Sequence, residues 1–296
     1  MYPAPYDYRQ VSTVTEAINL LSEADGDAKV LAGGQGLIPD MKTGVETPDM
    51  LVDIGDIDRL HTIESTDDVV VIGAMVTHAE LATSDRLQEH SPILSETAQT
   101  VADRQIRNRG TVGGNLAEAD PEADLPAAML AVGATFDVEG PEGTREIPAT
   151  EFFVESGETA LAAEEMVTAI RVPSSDGGAY LKRTHPARGY AMVGVAIALD
   201  VTRETLEAAR VATVGVADRP IRLPTVEAEL AGTSIESIPD GPVVAQATQQ
   251  AETDLEDCAL HGDAYASGAF RAALLPTLLG RAVETAIERT TEGRLQ

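Results

Sequence analysis

The sequence predicts a chain of two domains in which helices and strands are mixed. Its 296 residues are enough to bury a core in each of two domains. Thr13 and Glu16 have the spacing of a capping box, and apolar residues at helical spacing follow to about Glu23, which predicts a first helix. Short apolar runs bounded by turn residues predict strands. The stretch 173–178, PSSDGG, combines proline, glycine and small polar residues, so we place the domain boundary there.

The remaining elements follow from the same patterns. Residues 92–102 have helical spacing, and a further helix starts at Asp124, with Pro126 in its first turn. Beyond the boundary, runs rich in valine and alanine predict the strands of a small sheet. The predicted strands span 29–32, 51–54, 69–72, 135–138, 165–172, 191–201 and 210–216, and the last two predicted helices span 243–253 and 264–289.

The chain carries a large excess of negative charge. With 49 acidic and 21 basic residues, its formal net charge is −28. No basic stripe is available to neutralise phosphates, so nucleic acid is excluded as a partner. Lys29, Lys42 and Lys182 are the only lysines. Adaptation to a high-salt cytoplasm explains both features, because carboxylates hold water and salt while their self-repulsion is screened. A functional acidic face is the alternative.

Cysteine and histidine usage limits the possible chemistry. Cys258 is the single cysteine, which excludes an internal disulfide, a four-thiolate iron–sulfur cluster and a structural zinc site. The five histidines are dispersed, so we expect neither a metal site nor side-chain catalysis, and any redox centre is an organic cofactor. The first residues have no leader pattern, and no stretch reaches transmembrane length. We therefore expect a soluble cytoplasmic protein without membrane insertion.

Two short glycine-rich turns give the strongest functional signal. They are 32–36, AGGQG, which follows a predicted strand, and 111–115, TVGGN. Glycine lets bare backbone lie against a bulky anion, and consecutive N–H groups can surround a phosphate. A tight loop without a ligand is the alternative for either turn taken alone. Three arginines before the second turn bring positive charge, unless they pair with nearby carboxylates: Arg104, Arg107 and Arg109.

A Rossmann fold that binds NAD is one interpretation of the first turn. Gly34 and Gly36 match the first two glycines of the dinucleotide fingerprint, and Asp53 lies near the position of a ribose-binding acid. Two features oppose this interpretation. Pro39 stands where a third small residue is expected, and the segment 40–44 is too short for a crossover helix.

Seven motifs in order point to a known family. They are PYDY at 5–8, AGGQGLIP at 32–39, RNRGTVGGNLA at 107–117, ADP at 119–121, DLP at 124–126, YLK at 180–182 and GYAMVGV at 189–195. In this order they resemble the FAD-binding medium subunit of molybdenum hydroxylases, the family of the aerobic carbon monoxide dehydrogenase medium subunit and of the flavin part of xanthine dehydrogenase. The resemblance covers nearly the whole chain.

The resemblance implies an α+β protein with an FAD-binding fold of the vanillyl-alcohol-oxidase (PCMH) type. Two N-terminal subdomains, about 1–55 and 56–173, would hold FAD against a C-terminal domain of the CO dehydrogenase flavoprotein type at 178–290. Because FAD carries the chemistry, the resemblance implies no catalytic side chain. It implies a cofactor site formed by Val30, Leu31, Ala32, Gly33, Gly34, Gln35, Gly36, Leu37, Thr111, Val112, Gly113, Gly114, Asn115, Asp124, Val167, Lys182 and Tyr190.

The implied roles of these residues differ. The two glycine-rich segments would hold the pyrophosphate and neighbouring groups, and Asp124 would bind a polar part of FAD. Val167 would contact FAD through its main chain. Lys182 and Tyr190 would lie by the isoalloxazine, where a cation stabilises reduced, anionic flavin.

The resemblance also implies partners. A large molybdopterin subunit oxidises the substrate, a small subunit relays electrons through two [2Fe-2S] clusters, and FAD on this chain delivers them to an external acceptor, in a dimer of heterotrimers. The substrate, whether carbon monoxide, an aldehyde, a purine or another heterocycle, would be set by the large subunit. A bridging subunit that has lost FAD is the alternative.

Two positions depart from the usual pattern of the family. Gly36 stands where serine is usual, which puts a hydroxyl contact to phosphate in doubt, and Glu118 stands where histidine is common. We expect Glu118 to lie beyond the second glycine turn and to have no effect on FAD binding. We also expect FAD to be bound non-covalently, because neither turn contains histidine or cysteine.

Overall fold

The computed structural model describes residues 2–66, 68–186, 189–235, 238 and 242–294. Within these ranges the strands form a three-stranded, a five-stranded and a four-stranded sheet and one short hairpin. No helix in the described ranges combines the length and the apolar character needed to span a bilayer.

The first sheet is parallel and has the order β1-β3-β2. Its strands are β1 (Asp7–Gln10), β2 (Ala28–Leu31) and β3 (Met50–Asp53). The predicted capping box is confirmed at the start of α1 (Val14–Glu23), which connects β1 to β2. The expectation that no crossover helix fits after the first glycine turn is wrong, because α2 (Leu37–Thr43) begins directly after the turn, with Gly36 as its N-cap, and connects β2 to β3.

The second sheet is antiparallel, with the order β4-β5-β10-β6-β7. The parallel sheet that carries the first glycine turn thus has only three strands, so the alternative of a Rossmann fold is wrong. The rings of Phe136, Phe152 and Phe153 pack edge to face in the core of the second sheet, with centroids 4.6 to 6.2 Å apart. The strands of the sheet are β4 (Ile63–Ser65), β5 (Val69–Gly73), β6 (Thr135–Gly140), β7 (Gly143–Pro148) and β10 (Met166–Pro173), and the hairpin comprises β8 (Phe153–Glu155) and β9 (Glu158–Thr159).

Helices line one side of the second sheet and lead to the C-terminal part. One of them, α8 (Asp124–Val132), is buried on every side because it packs against α5 and also against the third sheet. The other helices, with a short 3-10 turn at Asp58–His61, are α3 (His78–Thr83), α4 (Asp85–His90), α5 (Pro92–Thr100), α6 (Arg104–Arg107), α7 (Val112–Glu118) and α9 (Ala149–Phe152).

The third sheet is an antiparallel meander that begins three residues after β10 ends. The long helix α12 covers one face of it with Leu275, Leu279 and Val283, all fully buried. The strands are β11 (Gly177–Thr184), β12 (Ala191–Thr202), β13 (Thr205–Val214) and β14 (Ile221–Arg222), and the helices are α10 (Pro224–Leu230), α11 (Val243–Leu255) and α12 (Gly268–Arg294).

Candidate cofactor-binding site

A cavity of about 600 Å³ lies where the three sheets meet. The first glycine-rich segment forms one wall, and α7 with the loop before it forms the opposite wall. Val167 on β10 and Tyr190 just before β12 also line it. An adjoining hollow of about 500 Å³ lies on the other side of the same glycine-rich segment.

The first glycine-rich segment is a true turn. Gly34 has a φ of +69°, which favours glycine. A Cβ on Gly33 would lie 2.9 Å from Cα of Gly110, so this position needs glycine because two backbones touch. The N–H groups of residues 33–36 have no recorded acceptor within the described part of the chain, and all four residues border the cavity. Four consecutive backbone donors are thus available to a ligand.

The second glycine-rich segment is the first turn of helix α7. Thr111 is its N-cap, and the hydroxyl of Thr111 accepts a hydrogen bond from the N–H of Gly114 at 3.2 Å. The N–H groups of Val112, Gly113 and Asn115 donate to backbone carbonyls. The expectation that consecutive N–H groups of this segment surround a phosphate is therefore wrong, because the helix and its neighbours already use them.

Side chains of this wall still offer unpaired polar atoms. Oδ1 of Asn115 and Nδ1 of His78 are buried, and neither has a hydrogen-bond partner among the described residues. Both residues line the cavity. A buried polar atom without a partner is costly, so both atoms are suited to bind a ligand with polar groups. Burial, and secondarily the charge of Arg107, lowers the pKa of His78 to about 4, so its ring is neutral at pH 7.

The three arginines before α7 do not pair with carboxylates in the described structure. Arg107 donates to the carbonyl oxygens of Val101 and Ala102, at 2.8 and 3.2 Å, and so holds the loop beside the cavity. Arg109 lines the adjoining hollow. No ion pair is recorded for these arginines within the described residues. The alternative that these arginines pair with nearby carboxylates is therefore wrong for the described residues.

Asp124 lines the cavity and is held from behind by two side chains of β11. It is the first residue of α8, and Ala123 is the N-cap. The hydroxyl of Tyr180 donates to Oδ1 at 2.5 Å, and Nζ of Lys182 donates to Oδ2 at 2.9 Å. Burial raises the pKa of Asp124 above its usual value, although Lys182 and Tyr180 act in the opposite direction.

Lys182 is not in the wall of the cavity. Its ammonium group also donates to the carbonyl oxygens of Thr100 and Gly189, at 2.8 and 2.9 Å, so all three of its hydrogens have acceptors. Its positive charge neutralises the carboxylate of Asp124, and Asp124 is the residue of this pair that lines the cavity. Desolvation, followed by the charge of Asp124, raises the pKa of Tyr180 well above its usual value, so its hydroxyl stays a donor.

Glu118 lies beyond the second glycine turn, as expected, but it also borders the cavity. It is the last residue of α7, and its carboxyl group lies against Gly36 of the first glycine-rich segment. Gly36 and Glu118 are far apart along the chain, so local sequence patterns could not predict this contact. The only signal in the sequence is that both residues depart from the same family pattern.

The structure brings most of the predicted site together. Leu31 lines the adjoining hollow, Val112 is fully buried in the core, and Lys182 lies behind Asp124. The predicted residues that line the main cavity are Val30, Ala32, Gly33, Gly34, Gln35, Gly36, Leu37, Thr111, Gly113, Gly114, Asn115, Asp124, Val167 and Tyr190.

Comparisons with known proteins agree with this architecture. Residues 4–175 match the family described as FAD binding domain in molybdopterin dehydrogenase, and residues 179–286 match the CO dehydrogenase flavoprotein C-terminal domain. The chain is 36% identical to the carbon monoxide dehydrogenase medium chain of Afipia carboxidovorans, over 98% of this chain and 99% of that one. It is 31% identical to the nicotine 6-hydroxylase medium subunit of Paenarthrobacter nicotinovorans, over 96% and 98%.

A solved structure shares the fold along the whole chain. The match to reconstituted CO dehydrogenase from Oligotropha carboxidovorans has a TM-score of 0.91 at 36% identity, and it covers 98% of this chain and 100% of that one. The chain therefore belongs to the family of FAD-binding medium subunits of molybdenum hydroxylases and is the flavin-carrying, electron-transfer subunit of an oxidoreductase.

Proposed function

We propose that FAD lies in the cavity between the two glycine-rich segments, with its pyrophosphate against residues 33–36 and its ring system towards Tyr190. The observation that carries this proposal is the set of four backbone N–H groups in the first segment, which border the cavity and have no recorded acceptor among the described residues. Consecutive backbone donors of this kind bind phosphate oxygens.

The other walls of the cavity also fit FAD. Asn115 offers a buried acceptor that has no partner among the described residues and is suited to a hydroxyl or ring N–H. Asp124 offers a carboxylate whose position is held by Tyr180 and Lys182. The proposed contacts comprise all seventeen residues implied by the family resemblance, with Leu31, Val112 and Lys182 acting through the residues in front of them. FAD supplies the redox chemistry, and the side chains bind and orient it without a catalytic role.

A medium chain of this family works with a small and a large subunit. This chain has a single cysteine, whereas [2Fe-2S] clusters are held by four protein ligands, so the clusters belong to a partner. We propose that electrons pass from a small [2Fe-2S] subunit to FAD on this chain and then to an external acceptor. We further propose a dimer of heterotrimers in the cytoplasm, with the substrate chosen by the large molybdopterin subunit.

The domain limits and the acidic surface belong to the same proposal. We propose an FAD-binding domain at 1–173, with subdomains at about 1–55 and 56–173, and a C-terminal domain at 178–290. The first two sheets lie before residue 174 and the third lies after residue 176, which supports these limits. The net charge of −28 supports adaptation to high salt.

Purification of the full-length chain tests the proposal. We expect a yellow protein with one FAD per chain, and acid precipitation should leave the flavin in the supernatant. Flavin that stays in the pellet would contradict non-covalent binding. A colourless chain that takes up no FAD on incubation would support the alternative of a bridging subunit without flavin.

A further inference from the structure

Glu118 lies against Gly36 at the edge of the first glycine-rich segment. A Cβ built on Gly36 would overlap Oε1 of Glu118, and Oε2 would lie only 2.8 Å from it. Gly36 itself has a φ of −95° and a ψ of −60°, which any residue can adopt. The carboxyl group of Glu118 therefore fills the space beside Gly36, and a larger residue at position 36 would have to displace this flexible side chain.

The carboxyl group of Glu118 thus occupies the place that a side chain at position 36 would take. This place lies beside Gly36, the last of the four residues whose N–H groups have no acceptor among the described residues and to which we assign the pyrophosphate. A group at this position meets the phosphates together with those N–H groups. Its chemical state then matters, because an ionised carboxylate repels a pyrophosphate whereas a neutral carboxylic acid can donate a hydrogen bond to it.

The charges around Glu118 favour the neutral acid. Asp120 lies two residues after it on the chain, and Asp40 of α2 lines the same cavity. The side chain of Glu118 is exposed at the cavity wall, so it loses only part of its contact with water; this partial desolvation and the two neighbouring carboxylates raise the pKa of Glu118 to about 7. The other charged residues that line the cavity are Lys29 and Glu46, which pair with each other, Glu165, which pairs with Arg145, and Asp124, which pairs with Lys182.

We propose that Glu118 is a positioning residue for the FAD pyrophosphate, which it meets as a neutral carboxylic acid that donates a hydrogen bond to a phosphate oxygen. This inference rests on the proposed place of FAD in the cavity. It makes FAD binding dependent on pH, because deprotonated Glu118 must take up a proton when FAD binds. Affinity should fall by up to tenfold for each pH unit above the pKa of the free chain, and it should level off below that pKa.

Titration of the flavin-free, full-length chain with FAD tests this inference. Flavin fluorescence measured at fixed potassium chloride concentration, from about pH 6 to pH 8.5, gives the dissociation constant at each pH. We expect the wild-type affinity to decline above about pH 7. Glu118→Gln keeps a hydrogen-bond donor and cannot ionise, so its affinity should vary little with pH and should exceed that of the wild type about tenfold at pH 8. The control Glu46→Gln also removes an acid from the cavity wall and should keep the wild-type pH dependence.

Three results would overturn the inference. The first is a wild-type affinity for FAD that does not change across this pH range. The second is an affinity of Glu118→Gln that declines with pH as steeply as that of the wild type. The third is an affinity of Glu46→Gln that no longer declines with pH. If Glu118→Gln is poorly folded by circular dichroism, Glu118→Ala replaces it, and its affinity should also be independent of pH. A wild-type chain that binds no FAD at any pH would instead refute the proposed function.

Discussion

The ammonium nitrogen of Lys182 lies 2.9 Å from Oδ2 of Asp124, and the two side chains are only 8% and 3% exposed. Asp124 begins α8 in the N-terminal part, whereas Lys182 lies on β11 of the third sheet. This buried ion pair therefore ties the cavity wall to the C-terminal part of the chain. Tyr180, two residues earlier on the same strand, binds the other oxygen of the same carboxylate.

We expect Lys182→Met to destabilise the chain strongly. It removes one partner of a buried ion pair, leaves the Asp124 carboxylate uncompensated, and should cost about 3–5 kcal/mol of the free energy of unfolding. Denaturant unfolding followed by circular dichroism measures this cost.

The double variant Lys182→Met with Asp124→Asn is the control for this prediction. The double variant no longer has the uncompensated charge. Its loss of unfolding free energy should therefore be smaller than the sum of the losses in Lys182→Met alone and Asp124→Asn alone. Strictly additive losses would show that the two groups do not interact.

We expect Gly114→Val to prevent tight FAD binding. A Cβ on Gly114 would lie 2.8 Å from Oγ1 of Thr111, and the branches of valine would enter the cavity. Overpacking of this kind costs about 1–3 kcal/mol, which corresponds to about a tenfold to hundredfold loss of affinity. FAD titration measures the loss. Gly280→Ala, in a helix with only ordinary contacts at this position, should retain full affinity. Equal affinity in the two variants would contradict the assigned site.

We expect His78 to make the fold sensitive to mild acid. Its pKa is about 4 in the folded chain and near the ordinary value of 6.5 in the unfolded chain. The unfolded chain therefore binds more protons between these values. His78 contributes its full stabilisation above about pH 6.5, and about 3 kcal/mol of it is lost as the pH falls to about 4.

His78→Gln tests this expectation, because it should flatten the decline in unfolding free energy between about pH 6.5 and pH 4. The control His61→Gln, at an exposed position, should leave the decline unchanged. Identical profiles for both variants would rule out His78 as the origin of the acid sensitivity.

We expect both the melting temperature and FAD retention to rise with potassium chloride. The net charge of −28 causes self-repulsion over roughly 30 Å at 0.01 M salt, and molar salt confines it to about 3 Å. Thermal melts of the isolated chain across a chloride series, followed by circular dichroism and flavin fluorescence, measure both. A melting temperature that stays level or falls would contradict salt adaptation and favour a partner-binding acidic face.

Local patterns predicted some of the regular elements and missed others, such as strand β11 and helix α10. The capping box at Thr13 and the apolar run after Asp124 act within a few residues, so α1 and α8 begin close to where the sequence predicts. The second glycine-rich segment shows the limit of this reasoning. Its glycines are compatible with an anion-binding turn, but its N–H groups donate to Thr111, Ala74 and Val76, and the last two are distant in sequence.

The sequence by itself determined the family, the cofactor and a part of the residues that surround the cavity, because these depend on ordered motifs and local spacing. Only the tertiary structure decided which donors remain available to FAD, that Lys182 lies behind Asp124, and that Glu118 faces Gly36. The physical reason is that hydrogen bonding, desolvation and close backbone approach depend on neighbours from distant segments, and the linear order of the chain does not specify these neighbours.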